Sequence, residues 1–210
     1  MSNITILGAT SATGKHLIPL LHERGHELTV LTRNDGLSDI TTPSLRVLRG
    51  DATSTADVSR AVRDADVVIM MIGARTGQPA GTVRSDATKA LTEALRQTNP
   101  DAHVIAVSAL GGSASIDQLG VLGRFIYRKV VGSERLAEVD HQEQLLRSSG
   151  LTTTVVRPPK LDDKRGTGPK EASRRLPSTA VLHRADLAAH IAACVEERPS
   201  STSFRTIVSS

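Results

Sequence analysis

The chain has 210 residues, 39% of them hydrophobic, and this size suits one compact domain rather than two independent ones. Its 26 lysines and arginines against 22 aspartates and glutamates give a formal charge of +4 that is spread along the chain, so nucleic acid is not indicated as a partner. Tryptophan is absent and Tyr127 is the single tyrosine, which argues against domains that stack single-stranded bases on aromatic side chains.

Short β-branched runs alternate with longer segments of helical periodicity along the chain. Strands are predicted at 4–7, 28–32, 45–49, 67–72, 104–107, 153–157 and 204–208, and helices at 13–24, 54–63, 82–97, 134–148 and 184–196. The run from Val67 to Ile72 lacks polar alternation, which indicates a strand buried on both faces of a parallel sheet. We therefore predict an α/β fold with a Rossmann-type doubly wound parallel sheet, residues 1–210 forming a single domain.

Two segments interrupt this alternation as small insertions, and both follow strand ends. Residues 111–131 carry apolar side chains at roughly helical spacing: Ile116, Leu119, Leu122, Ile126 and Val130. Residues 160–183 contain a basic stretch: Lys160, Lys164, Arg165, Lys170, Arg174 and Arg175. Ligands of open α/β sheets bind outside the carboxyl ends of the strands, so both segments are expected to border a substrate site. The alternatives are core packing for the apolar positions and a solvated loop for the basic ones.

A glycine-containing turn with the sequence GATSATGK, residues 8–15, connects the first predicted strand to the first helix. Gly8 permits a tight turn, Gly14 lets the helix lie close to the strand, and the free N–H groups of the helix N-terminus attract an anion such as a pyrophosphate. The residues between the glycines complete this candidate site: Thr10, Ser11, Ala12 and Thr13. Ser11 replaces the middle glycine usual in such dinucleotide-binding turns, and its hydroxyl is available to donate to a phosphate oxygen.

The second predicted strand ends with Leu31, Thr32, Arg33 and Asn34. About twenty residues after the turn, NAD enzymes place an acid that binds the ribose 2′-hydroxyl. Here Arg33 and Thr32 instead offer a guanidinium and a hydroxyl, which suit a 2′-phosphate. The strand end therefore favours NADP(H) as the cofactor.

Six motifs occur in an order that resembles the atypical short-chain dehydrogenase/reductases: GATSATG, LTRN, GDA at 50–52, MMIGA at 70–74, VSALGG at 107–112 and SGLTTTVVRPPKL at 149–161. Over residues 3–195 the chain is most similar to their NAD(P)H-binding group, which includes nitrogen-metabolite-repressor-like proteins and flavin reductases of the biliverdin reductase B type. The resemblance implies that Asp51 and Ala52 meet the adenine. It further implies cofactor contacts along the groove at Ile72, Gly73, Ala74, Ser108 and Pro158, with Pro159 helping to shape the nicotinamide pocket.

Carbonyl-reducing members of the wider superfamily carry a Tyr-x-x-x-Lys pair, whose tyrosine protonates the nascent alkoxide. Val131 stands four residues after Tyr127, so this pair is absent. The remaining candidate catalytic residues are Ser108, Tyr127 and His141, the last as a proton donor in the first turn of a helix.

Flavins, quinones and related conjugated acceptors delocalise the charge that a hydride brings, so they need orientation more than a protein acid. The sequence thus predicts an NADPH-dependent oxidoreductase with a small-molecule acceptor of this type. The alternative is a non-catalytic NADP(H)-binding redox sensor or regulatory protein, for which the apolar positions 116–130 would be a partner-binding face.

The single cysteine, Cys194, excludes an intrachain disulfide and a cysteine-based metal site. The histidines show no ligand spacing, so no metal is predicted. No stretch approaches the roughly 20 apolar residues of a membrane span, and the N-terminus does not read as a signal peptide. A cytoplasmic protein with a buried, inert thiol at Cys194 is expected.

Overall fold

The computed structural model describes residues 1–34, 45–74, 79–172, 175–197 and 199–210. Arg174 and the side chains of Leu122 and Ile126 lie outside the described part. The strands are β1 (Asn3–Leu7), β2 (Glu27–Thr32), β3 (Leu45–Arg49), β4 (Val67–Met70), β5 (His103–Val107), β6 (Thr153–Arg157), β7 (Lys160–Asp162), β8 (Pro169–Glu171), β9 (Val181–His183) and β10 (Ser203–Ser209). The helices are α1 (Ala12–Glu23), α2 (Thr55–Val62), α3 (Val83–Thr98), α4 (Val121–Val131), α5 (Ser133–Ser148) and α6 (Arg184–Cys194), with a 3₁₀ turn at Ile116–Gln118.

Eight strands form one sheet in the order β3-β2-β1-β4-β5-β6-β10-β8. All neighbours from β3 to β10 pair in parallel, and the edge strand β8 runs antiparallel to β10. The chain moves outward from β1 to β3 and then crosses back to β4, so the strand order reverses between β1 and β4. Such a reversal opens a crevice at the carboxyl ends of the two strands. The predicted Rossmann-type doubly wound sheet is confirmed.

Helices cover both faces of this sheet. On one face α1 and α6 pack against each other over β1 and β2, with Leu17, Ile18 and Ile191 fully buried. On the other face α2, α3 and α5 cover the sheet around Leu91, Leu95 and Leu146. The apolar face predicted for the last helix is buried, because its positions 187, 191 and 195 are at most 1% exposed. Cys194 is buried as expected.

The first insertion, residues 111–131, contains the 3₁₀ turn and α4. Ile116 and Leu119 are buried beside Tyr127, so core packing explains part of the apolar pattern. Three other apolar residues of this segment are exposed: Val121 (80%), Phe125 (69%) and Val130 (78%). The described apolar side chains of this segment therefore divide between a small core and exposed positions on α4.

The basic stretch of the second insertion is more ordered than a solvated loop. Part of it forms β8, which pairs with β10 through the register Val208 to Lys170. The buried Asp186 carboxylate accepts hydrogen bonds from the backbone N–H groups of Thr167 and Gly168 and from the Ser209 hydroxyl. These contacts fix the stretch against the sheet while its described lysines remain exposed. Within the described ranges, no helix is long and apolar enough to span a membrane.

Candidate functional site

Two pockets of about 200 and 520 Å³ adjoin at the carboxyl ends of β1 and β4 and form one groove. They share the lining residues Thr10, Ser11, Met71, Ile72 and Gly73. The smaller pocket, the outer end, continues over Gly8, Leu31, Thr32, Arg33, Gly50, Asp51, Ala52, Thr53 and Val83. The larger pocket, the inner end, continues over Ala12, Thr13, Ala74, Arg84, Val107, Ser108, Ala109, Pro158, Pro159, Leu161, Arg184 and Leu187. The groove lies at the strand-order reversal, where open α/β sheets bind ligands.

The turn between β1 and α1 needs both of its glycines. Gly8 has φ +92°, and a Cβ there would lie 2.6 Å from the carbonyl oxygen of Met71. At Gly14 a Cβ would lie 2.0 Å from the carbonyl oxygen of Ala9, which no side chain can accommodate. Gly14 is buried and is not one of the residues that line the groove. Its role is to let α1 lie close to β1, as predicted.

Ser11 is the N-cap of α1, and this explains a serine at a position where glycine is usual. Its φ of −69° is allowed for any residue, and its Oγ accepts a hydrogen bond from the Gly14 N–H at 3.1 Å. The hydroxyl hydrogen of Ser11 is therefore available to donate to a ligand. The N–H groups of Ala12 and Thr13 have no acceptor among the described residues, as expected for the first turn of a helix. The turn therefore presents several donors to the groove where an anion would lie.

At the outer end, the Arg33 side chain is 65% exposed, with its Nη1 4.0 Å from Oδ2 of Asp51. The Thr32 hydroxyl donates to the Asn34 carbonyl oxygen at 2.8 Å, so its hydrogen serves the local turn. Its oxygen also accepts a hydrogen bond from the Asn34 N–H at 3.3 Å, so Thr32 lines the groove with one remaining lone pair as an acceptor. Arg33 is the exposed cation at this end of the groove.

Asp51 holds a turn that follows β3. Its Oδ1 accepts from the backbone N–H and the hydroxyl of Thr53, both at 2.9 Å. The Thr53 backbone hydrogen bond is the main cause that lowers the pKa of the Asp51 carboxyl, and its hydroxyl and Arg33 lower it further. The backbone N–H of Asp51 in turn donates to Asp57 of α2 at 2.9 Å. Asp57, which sequence reasoning missed, thus positions the backbone that leads to Ala52.

At the inner end, the Ser108 side chain is tied to α5. Ser108 follows β5, is 3% exposed, and its Oγ donates to Oε1 of Glu143 at 3.0 Å. Arg157, at the end of β6, donates to both Glu143 oxygens, from Nε at 2.8 Å and from Nη2 at 2.5 Å. The Ser108 hydrogen is thereby directed to a buried ion pair instead of the groove.

This buried network extends to the C-terminal strand. Arg147 of α5 also donates to Glu143, at 3.1 Å. The guanidinium carbons of Arg147 and Arg157 lie 4.3 and 4.5 Å from the ring centroid of Phe204, which is on β10. Sequence reasoning missed Glu143, Arg147 and Arg157, because they come from two elements, α5 and β6, that no single motif links.

Two arginines that sequence reasoning also missed line the inner end. Arg84 reaches from the first turn of α3, and Arg184 is the first residue of α6. Pro158 and Ala74 line the same end, as the resemblance implies. Among its lining residues none is an aspartate or glutamate. The inner end is therefore basic, with an apolar floor.

Tyr127 and His141 lie outside the groove. Tyr127 packs its ring over Gly111, where a Cβ would come within 2.4 Å of it, and burial raises the pKa of its hydroxyl. The prediction that His141 occupies the first turn of a helix is wrong, because α5 begins at Ser133 and His141 is exposed midway along it. Neither residue lines the outer or the inner end. No group of metal-ligating side chains occurs in the described part of the chain.

Comparison with known proteins agrees with this geometry. The sequence model of a family described as NAD(P)H-binding matches residues 8–198. The chain is 26% identical over 193 residues to the averufin oxidase of Emericella nidulans, an alignment covering 80% of this chain and 65% of that protein. The chain thus spans about two thirds of the length of this curated relative.

Solved structures show the same fold at low sequence identity. The anaerobillin reductase ChuY of Escherichia coli superposes with a TM-score of 0.77 at 19% identity, covering 99% of this chain and 97% of that one. A short-chain dehydrogenase/reductase of Veillonella parvula in complex with NADP superposes with a TM-score of 0.80 at 19% identity, covering 99% and 94%.

Proposed function

Because the chain belongs to the NAD(P)H-binding family, a family of oxidoreductase-type folds, we propose that it is an NADPH-dependent oxidoreductase that reduces a flavin, quinone or other conjugated acceptor. The observation that carries the proposal is the continuous groove. One end has an exposed arginine, the middle has the donors of a helix N-terminus, and the described lining of the inner end has no tyrosine, histidine or carboxyl side chain to act as an acid.

The residues of the groove fit a dinucleotide. A pyrophosphate would be held by the unpartnered N–H groups of Ala12 and Thr13 and by the Ser11 hydroxyl. Gly8 and Gly73 line the groove where its backbone would pass. Asp51 and Ala52 would meet the adenine, and Ile72 would pass along the middle.

Arg33 supports NADPH over NADH. Its guanidinium is exposed at the end of β2, where a 2′-phosphate would need a cation. Among the described residues its ion-pair partner is Asp51, which is 4.0 Å away and half-exposed, so the guanidinium donors would be accessible to a phosphate. Thr32 would accept a hydrogen bond from the cofactor rather than donate one, because its hydrogen is committed to Asn34.

When bound, NADPH supplies a hydride at its nicotinamide ring. Ser108 and Pro158 would border that ring, with Ala74 beside it. The Ser108 oxygen faces the ligand as an acceptor, since its hydrogen bonds to Glu143. Tyr127 is held away from the groove, and burial raises its pKa. An acceptor that delocalises charge takes its proton from water, so orientation is the main contribution of this chain.

The test is NADPH oxidation, followed at 340 nm, with purified protein and a panel of acceptors. We expect turnover with riboflavin, FMN, naphthoquinone or an azo dye, and none with unconjugated ketones or aldehydes. Turnover of simple ketones would contradict the proposal, because their reduction needs an acid side chain that the groove is proposed to lack. Tight NADPH binding with no turnover across the panel would overturn the enzymatic proposal.

A second candidate is a non-catalytic sensor of the NADP redox state. The exposed apolar side chains of α4 favour it: Val121 and Phe125 lie one turn apart on one side of the helix, and Val130 lies on the other side. A sensor must bind the two redox forms with different affinities, because equal binding shifts no equilibrium. Dissociation constants for NADP⁺ and NADPH that agree within about twofold would therefore eliminate this candidate.

A further inference from the structure

Arg84 brings a guanidinium to the inner end of the groove from outside the predicted motifs. Its Nη1 donates to the Val107 carbonyl oxygen at 3.1 Å and to Oε1 of Gln142 at 2.9 Å. Its Nη2 lies against Gly73, only 2.8 Å from where a Cβ would be. The absent side chain at Gly73 thus makes room for the guanidinium beside the groove.

The charge of Arg84 is not neutralised by the carboxylates nearest to it. Glu143 is engaged by Arg157 and by Ser108. Glu138 accepts the Ser85 hydroxyl with both of its oxygens. Burial is the main cause that lowers the pKa of Arg84 to about 10, and the charges of Glu138 and Glu143 oppose this effect. Arg84 is half-buried, and a partly desolvated cation with no ion pair among the described residues is stabilised when an anionic ligand binds beside it.

The buried Gln142 amide adds a second unfilled donor. Arg84 fixes its orientation by binding Oε1, which leaves Nε2 as the donor end. Nε2 has no hydrogen-bond partner, although Gln142 is 0% exposed. Buried polar atoms are normally satisfied, so this pair of neighbouring side chains has donor capacity that the described residues do not use.

A second cation faces the pocket from the other side of the sheet. Arg184 of α6 lines the same inner end, and its Nη1 binds Oδ1 of Asp163 at 2.9 Å. Asp163 is 72% exposed, so solvent screens the pair and the carboxylate can be exchanged for another anion. The pocket of about 520 Å³ therefore has two arginines and no acidic residue in its described wall.

We propose that Arg84, assisted by Arg184, binds a carboxylate, sulfonate or phosphate group of the acceptor, so that the inner end selects anionic acceptors over neutral ones of the same ring system. This inference rests on the proposed function only in calling the ligand an acceptor. The same anion-binding chemistry would also suit the pyrophosphate of the cofactor, and the experiment separates the two sources.

The experiment measures equilibrium binding to the NADP⁺-loaded protein and needs no turnover. The probes are anthraquinone-2-sulfonate and 2-(hydroxymethyl)anthraquinone, which share a ring system and differ in charge. We expect the sulfonate to bind at least about 10-fold more tightly in the wild type, since hydrogen bonds to charged groups are worth about 10- to 100-fold in affinity. Arg84→Met should abolish this preference, and Arg84→Lys should retain part of it.

The matched control is Arg63→Met, which removes one positive charge from an exposed residue after α2, outside the groove. It should leave both probes unchanged, so that a general charge effect is separated from a local one. Thermal melting and the NADP⁺ dissociation constant show whether Arg84→Met is folded and loaded.

Three results would overturn the proposal. In the first, Arg84→Met weakens both probes equally. In the second, it weakens neither. In the third, it weakens NADP⁺ more than about 10-fold while the sulfonate preference persists, which assigns Arg84 to the cofactor. Failure of the proposed function looks different, because the protein would then reduce no acceptor whatever its affinity for the two probes.

Discussion

The two ends of the groove are built in opposite ways. At the outer end the charged side chains of Arg33 and Asp51 are half-exposed or more, and Asp51 is bonded to a near neighbour in sequence, Thr53. At the inner end, Ser108, Glu143 and Arg157 are almost fully buried and come from β5, α5 and β6. The outer end can therefore be changed by surface substitution, whereas the network behind the inner end is part of the core. Substitutions in that buried network should mainly affect stability, and those at the outer end should mainly affect ligand binding.

The largest effect is expected from Glu143→Ala. It leaves Arg157 buried and unpaired, which should lower the free energy of unfolding by about 3–5 kcal/mol. The measurement is chemical denaturation. Asp51→Ala is the matched control at the outer end, and there the loss should stay below about 1 kcal/mol, because the carboxylate is 44% exposed. Equal losses of unfolding free energy in the two variants would contradict the proposed difference between the two ends of the groove.

Gly14→Ala should weaken both ends together, because Gly14 supports the turn they share. The added Cβ would lie 2.0 Å from the Ala9 carbonyl oxygen, so the turn must move. We expect NADPH affinity to fall at least about 10-fold in a fluorescence titration. Gly25→Ala is the control, since its φ of +76° strains the backbone but no atom lies within 4 Å of its Cβ. That variant should bind NADPH normally.

Arg33→Asp tests the outer end alone. Losing a charge-assisted hydrogen bond should weaken NADPH binding about 10- to 100-fold and leave NADH within about threefold. Stability should be unchanged, because Arg33 is 65% exposed. Parallel titrations with both nucleotides measure this ratio. An equal loss for NADPH and NADH would show that Arg33 does not distinguish the 2′-phosphate.

The smallest effect concerns Asp51 and pH. Because the folded-state pKa of Asp51 is lowered, its contribution to stability is present above the ordinary value of 3.8 and is lost as the pH falls below it. Asp51→Asn should therefore be less stable than the wild type at pH 7, by less than about 1 kcal/mol, and this difference should shrink as the pH falls below 3.8. A difference that grows on acidification would contradict the sign of the shift.

The same contrast explains what the sequence could predict. The sheet follows from apolar runs and the turn from Gly8 and Gly14, since both are local patterns. Arg33 was identifiable because it directly follows a strand. Glu143 and Arg84 lie on helices, and the apolar periodicity of a helix does not predict which distant strand end its polar side chains will contact. Their roles depend on the packing of α5 and α3 against the sheet.

The error at His141 concerned its place along a helix and not the helix itself. The predicted helix at 134–148 differs from α5 by one residue at its start, which follows the turn at Gly132, φ +87°. A residue thought to be in a first turn is thus two turns along, on the exposed face.

The ring of Phe204 has a consequence for the order in which the site can form during synthesis. It lies against Arg147 and Arg157, the two arginines that hold Glu143. Phe204 belongs to β10, which leaves the ribosome after every other strand of the sheet. A nascent chain that has emerged only as far as α6 carries every residue lining the groove, yet lacks the surface on which those arginines rest. The groove should therefore reach its final geometry late, when β10 has docked beside β6.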